Sequence, residues 1–153
     1  MSSVLKICIA NEASAKPILQ KSIFAVKNKG IEGDRYYLEK GTWSNKDKPH
    51  QQISLIESEN IDFVNSHYNN KFEYEDFRRN IITKDIKLNQ LIGKKIIIGN
   101  AEIQVIKLRH PCIYLANLLN EDKELVKLLR LKGGIACEII KSGSIKINDK
   151  IIS

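Results

Sequence analysis

Residues 92–108, IGKKIIIGNAEIQVIKL, place an isoleucine-rich run and an alternating run (Ala101, Ile103 and Val105 against Glu102 and Gln104) on either side of Gly99-Asn100. A side-chain period of two belongs to an extended strand, and glycine with asparagine suits the tight turn between antiparallel strands. The segment therefore predicts a β-hairpin. VLKICIA near the start repeats the alternation, with Leu5, Ile7 and Ile9 on one face. ILQKSIFAV is a weaker strand, and QQISL, RRNIIT, GIACEII and SIKINDKII supply further short ones.

Helical signals are fewer. Ser54-Leu-Ile-Glu57 has the spacing of a capping box, and Ile61, Val64 and Tyr68 recur at helical intervals, which predicts a helix from about Glu57 to His67. Asn120 is a candidate N-cap for NEDKELVKLLRLKGG, with Leu125, Leu128 and Leu129 as its apolar face and Gly133 as its stop. About seven strands, two or three helices and no regular strand–helix alternation predict a mostly β (α+β) fold. The expected form is a mainly antiparallel barrel with peripheral helices, not a parallel nucleotide-binding sheet. The polar stretch from Glu39 to His50 reads as a long surface loop that could move over a site.

One domain spanning residues 1–153 is expected, because a single core of this size buries roughly two thirds of the unfolded surface. With 42% hydrophobic and 28% charged residues, the composition is globular and argues against disorder. VLKICIA is too short to span a bilayer and lacks the form of a signal peptide, so a cytoplasmic protein without a membrane partner is expected. Three cysteines without CxxC spacing, and no HExxH, point to neither a disulfide framework nor a closed zinc site. The net charge of +7 favours anionic partners, but the lysines that dominate it are scattered, so no nucleic-acid partner is expected. Only five arginines occur, and Arg35, Arg78, Arg79 and Arg109 lie in or beside the motifs below. Their planar forks suit phosphate and carboxylate in a way that lysine cannot reproduce.

In LRHPCIYLANLL, residues 108–119, a cysteine follows Arg-His-Pro at the head of an apolar run. Proline is favoured at the first position of a helix, so Pro111 predicts a helix start with Cys112 in its first turn. Free N–H groups, the helix dipole, Arg109 and a protonated His110 would all stabilise a thiolate there. The alternative is a small buried hydrophobe. That alternative fits Cys137, which alternates with Ile135 and Ile139, and Cys8 also reads as structural.

Seven motifs follow one another in order: GIEGDR (30–35), QISLIE (52–57), RRNIIT (78–83), LNQLIGKKIIIG (88–99), RHPC (109–112), LKGG (131–134) and GSIKINDKI (143–151). The series resembles the MOSC domain, named for the C-terminal part of molybdenum cofactor sulfurases, here as a small stand-alone member. The resemblance implies a closed β-barrel with helices packed around it. It also implies association with molybdenum cofactor (molybdopterin), with Cys112 either a persulfide-bearing sulfur carrier or a thiolate ligand to molybdenum.

Molybdopterin carries a phosphate and a polar pterin, and the residues matched to the family's motifs are Gly33, Asp34, Arg35, Arg78, Arg79, Asn80 and Lys132. Arg109 would bind phosphate or tune the thiolate, and His110 would shuttle protons. Each has a plainer reading. Gly33 meets a backbone requirement, Asp34 caps a turn, Lys132 satisfies a helix end and His110 is solvated. Adjacent strand residues point to opposite faces, so only one of Arg78 and Arg79 is expected to face the site. The chain departs from the family pattern at Gln51 and Lys132, where arginine is frequent, and at Asn148-Asp149, where Gly-Asp is frequent.

The leading expectation is a molybdenum cofactor-binding protein acting in sulfur transfer or molybdenum-dependent chemistry through Cys112. The chain has no room for a pyridoxal-phosphate domain. A separate desulfurase would therefore donate the sulfur, with a molybdoenzyme or reductase as further partner. A non-catalytic cofactor carrier is the alternative, and a basic nucleic-acid-binding barrel is a weaker one.

Overall fold

The computed structural model describes residues 1–42 and 49–153, so the centre of the expected surface loop lies outside the described residues. Among the described residues eleven strands run in chain order: β1 (Ser3–Ile9), β2 (Ile18–Gln20), β3 (Ser22–Val26), β4 (Gly30–Ile31), β5 (Ile53–Glu57), β6 (Ile81–Lys84), β7 (Lys95–Ile98), β8 (Ala101–Leu108), β9 (Ile135–Lys141), β10 (Gly143–Lys146) and β11 (Ile151–Ile152). Three helices, α1 (Ser58–Asn65), α2 (Ile113–Leu118) and α3 (Lys123–Leu128), accompany them. Eight strands form one sheet in the order β11-β7-β8-β9-β5-β6-β1-β2, and β10-β3-β4 form a second. Every pair is antiparallel except β5 with β6.

Side-chain alternation divides the interior in two. Ile53 and Leu55 of β5 and Ile81 of β6 join Ile23, Ala25 and Ile145 of the small sheet in the larger core. Ile56 and Ile82, one residue on, point the other way and meet Ile61 and Val64 of α1, Leu115 of α2 and Leu125 of α3. The predicted hairpin is present as β7 and β8, with Gly99 at φ +58° in the turn. Ala101, Ile103 and Val105 are fully buried, as their alternation requires.

The expectation of a closed barrel is not met: among the described residues the large sheet runs from β11 to β2 with no ladder joining those two end strands. The reason lies in β1. Its C-terminal half pairs with β2 through Ile7–Ile9. Its N-terminal half meets the segment leading into β11 through the isolated bridge of Ser3 with Lys150 and the backbone hydrogen bonds beside it, Val4 N–H to the Asp149 carbonyl at 2.9 Å and Ile151 N–H to the Ser2 carbonyl at 3.1 Å. Two residues of β11 are too few to complete a ladder.

Of the three expected helix starts, the one at about Glu57 is met by α1, though not through the expected capping box, and the other two fall elsewhere. Ser54 belongs to β5, which stays extended through its pairing with β6 as far as Glu57, and α1 begins at Ser58 without a side-chain cap. Asn120 is left-handed at φ +56°, and the cap of α3 is Asp122, which accepts from the Glu124 N–H at 2.9 Å. Pro111 does not open α2. The β8–β9 ladder continues past Leu108 through the Arg109 N–H to the Gly134 carbonyl at 2.8 Å. The chain then remains extended to Cys112, the N-cap, at φ −140° and ψ 162°.

Candidate functional site

A buried carboxylate braces the site from behind. Asp34 follows Gly33, whose φ of +85° is readily reached only without a side chain, as the backbone reading of that glycine requires. Its Oδ1 accepts from the Ala10 N–H at 3.1 Å and from Asn80 Nδ2 at 3.4 Å, and its Oδ2 accepts from the Tyr36 N–H at 3.3 Å. Asn80 also accepts from the Ser54 N–H at 3.1 Å and donates to the Cys8 carbonyl at 3.3 Å. These bonds tie the loop after β4 to β1, β5 and β6. They also fix Arg35, whose Nη1 lies 3.3 Å from Asp34 and whose guanidinium stacks 4.7 Å from the Tyr36 ring centroid.

Arg78 and Arg79 precede β6 instead of lying in it. Arg78 is left-handed at φ +60° after a short 3₁₀ turn over Tyr74–Phe77, so strand alternation does not apply and both side chains reach one cavity. Arg78 Nη1 donates to the Ala15 carbonyl at 2.5 Å, and Arg79 Nε to the Gly133 carbonyl at 2.8 Å. The Cys8 thiol donates to the Arg79 carbonyl at 2.9 Å, and burial pushes Cys8 up to about 12. Cys8 and Cys137 are both buried, in keeping with structural roles.

The paired glycines form the neighbouring wall. A Cβ on Gly134, at φ +90°, would stand 2.1 Å from the Leu55 carbonyl, and one on Gly133 would stand 2.7 Å from the Arg109 carbonyl. Only glycine lets this turn close against β5 and against the segment leading to Cys112. Cys112 itself is exposed.

These walls enclose a cavity of about 270 Å³ lined by Arg35, Tyr36, Thr42, His50, Gln51, Arg78, Arg79, Lys107, Leu108, Arg109, His110, Pro111, Cys112, Tyr114 and Leu115. The lining holds four arginines and a lysine, and among the described residues no carboxylate. Burial, then the Arg109 and Arg35 guanidiniums, press the Arg79 guanidinium down to about 9; it stays charged at neutral pH. Arg78 is lowered by burial and by Arg35. Concentrated positive charge of this kind is relieved by an anion. Tyr114 donates to or accepts from Ser14 Oγ at 2.5 Å, and accepts from Thr42 Oγ1 at 3.0 Å. Burial pushes its phenol up, but those two bonds and the Arg78 and Arg35 charges together pull it below the ordinary tyrosine value.

The structure thus brings Arg35, Arg78, Arg79, Arg109, His110 and Cys112 to one cavity. Asp34 and Asn80 lie behind the wall, fully engaged with the protein, and Lys132 stands apart with its Nζ 5.0 Å from the Phe63 ring centroid. Tyr36, Thr42, His50, Lys107 and Tyr114 were not singled out from the sequence. Tyr36 adjoins Arg35 and Tyr114 lies two residues after Cys112, a proximity legible in the sequence, whereas Lys107 is brought there only by the β8 pairing. Asn148 is left-handed at φ +74°, a conformation that asparagine accommodates in place of glycine. Among the described residues no group of three or more His, Cys, Asp or Glu side chains could hold a metal ion, and no helix is long and apolar enough to cross a membrane.

The sequence profile of the MOSC domain matches residues 43–152. No curated protein matches the chain in sequence. Among solved structures, the YuaD protein from Bacillus subtilis superposes with a TM-score of 0.82 at 18% identity, covering 99% of this chain and 94% of that one. YiiM from Geobacillus stearothermophilus gives a TM-score of 0.77 at 15% identity over 99% of this chain and 74% of its own. YiiM from Escherichia coli gives 0.73 at 17% identity over 100% and 70%. At these identities the structural likeness concerns the fold alone.

Proposed function

The chain belongs to the MOSC domain family, and on that premise we propose that its arginine-lined cavity binds molybdenum cofactor while Cys112 handles sulfur at the cavity's edge. One observation carries this reading: an exposed thiol shares a single cavity with five cationic side chains and no described carboxylate. The donor set fits the ligand. Guanidinium forks from Arg78, Arg79 and Arg109 would hold the terminal phosphate. The Tyr36 and Tyr114 hydroxyls and the Gln51 amide would meet the polar edge of the pterin. When bound, the cofactor supplies a redox-active molybdenum centre on a dithiolene.

The residues of the chain do the rest. Asp34 holds Arg35 in place, and the Gly133 carbonyl orients Arg79. Cys112 would carry a persulfide whose outer sulfur is transferred, or would serve as a thiolate ligand to the bound metal. His110 stands beside it as an exposed proton donor or acceptor. In the transfer version a separate desulfurase in the cytoplasm donates the sulfur. In the ligand version a reductase supplies electrons.

Expression with added molybdate tests this directly. Purified protein is expected to retain molybdenum together with a fluorescent oxidised pterin, and mass spectrometry of the Cys112 peptide then distinguishes the persulfide from the ligand role. Arg109→Gln is expected to weaken pterin retention roughly tenfold or more, the loss of a charge-assisted pair. Wild-type protein that holds neither molybdenum nor pterin, even after mixing with excess cofactor, would refute the proposal.

A further inference from the structure

We infer that the cavity also admits a small divalent thio-oxyanion of the thiosulfate type, and that Cys112 takes its outer sulfur without a protein donor. The inference rests on the reading of Cys112 as an accessible, reacting thiol. A thiolate attacking a dianion meets strong repulsion in water-poor surroundings, and the reaction proceeds only where fixed cations offset it. This cavity supplies that condition. Arg35 and Arg78 are 7% and 8% exposed, so their charges are held within the wall and not on mobile surface arms. Each makes one side-chain hydrogen bond to a described residue, which leaves most of the five guanidinium donors for a ligand.

Arg109, three residues before Cys112, makes no side-chain hydrogen bond or ion pair to any described residue. Oxygens of a sulfonate-like head present the paired acceptors that such forks match. Cys112 is exposed, so its sulfur is open to the outer sulfur of an anion seated on the arginines.

The step balances. The Cys112 thiolate attacks the outer sulfur and forms a new S–S bond. The bond between the outer sulfur and the sulfonate sulfur breaks, and its electron pair leaves with sulfite. The products are a Cys112 persulfide anion and sulfite, the summed charge is unchanged, and no external oxidant or reductant takes part. Where the starting group is the thiol, its proton passes to solvent. The guanidiniums stabilise charge as it builds on the departing sulfite.

The test incubates the full chain with thiosulfate and follows sulfite release and the mass of the Cys112 peptide. Expected are sulfite in proportion to protein and one added sulfur atom on Cys112, with neither in Cys112→Ser. In Arg109→Gln the ratio of thiosulfate loading to labelling by neutral iodoacetamide is expected to fall roughly ten- to a hundredfold. Labelling by iodoacetamide without sulfite release overturns the inference and leaves the reactive-thiol reading standing. Absence of both defeats that reading as well. Sulfite release that persists in Cys112→Ser, or an unchanged ratio in Arg109→Gln, also overturns the inference.

Discussion

Cys112→Ser is expected to fold as the wild type does, to keep its affinity for anions, and to lose all transferable sulfur. The side chain is exposed and occupies the N-cap of α2 without a side-chain cap hydrogen bond. Serine is among the preferred N-cap residues, so the substitution is expected to leave stability unchanged or raise it by about 0.5–1 kcal/mol. The arginines that would hold phosphate are untouched. Thermal melting, pterin retention and cyanide-releasable sulfur separate these three outcomes. Transferable sulfur remaining in the variant would place the chemistry elsewhere, while loss of pterin as well would make the thiol a main holder of the ligand.

Gly134→Ala is expected to damage the fold itself. The new Cβ would stand 2.1 Å from the Leu55 carbonyl and 3.1 Å from Ile56 Cβ, on a backbone at φ +90°. Left-handed strain of about 1–2 kcal/mol and overpacking of about 1–3 kcal/mol together predict a loss of about 2–5 kcal/mol. For a chain of this size that corresponds to roughly 4–20 °C in Tm. Gly93→Ala is the matched control: its φ is +84°, but nothing lies within 4 Å of the added Cβ, so only the strain remains. Equal melting points for the two variants would mean that the turn yields without cost and that the close approach to β5 does not build the cavity wall.

The contrast between those two glycines shows what a sequence exposes. Periodicity revealed β1, the β7–β8 hairpin and the burial of Cys137, because each depends on a face that water must not reach. Capping signals at Pro111 and Asn120 failed where pairing across a sheet, or a left-handed residue, kept the chain out of the helix, whereas the helix expected from about Glu57 starts there without the Ser54 capping box. Adjacent Arg78 and Arg79 share a cavity because Arg78 takes a positive φ, which no alternation rule anticipates. The resemblance gives Asp34 and Asn80 as ligand contacts; in the structure both bond to the protein behind the arginines, which is the structural role that a turn carboxylate allows for Asp34. Lys132 was legible as a charge near a helix end, yet its partner, the Phe63 ring, comes from a distant segment. Closure of the barrel depended on how two edges of β1 are shared, a matter of length and not of residue type.

The proposed sulfur chemistry requires an open Cys112 thiol in a positive field, and the rates of its alkylation by iodoacetate and by iodoacetamide measure that field. Relative to a small free thiol, Cys112 is predicted to favour the anionic reagent at low salt, with the preference fading as ionic strength approaches the range where screening acts over about 10 Å. A reagent ratio no higher than that of the free thiol at every salt concentration would contradict it.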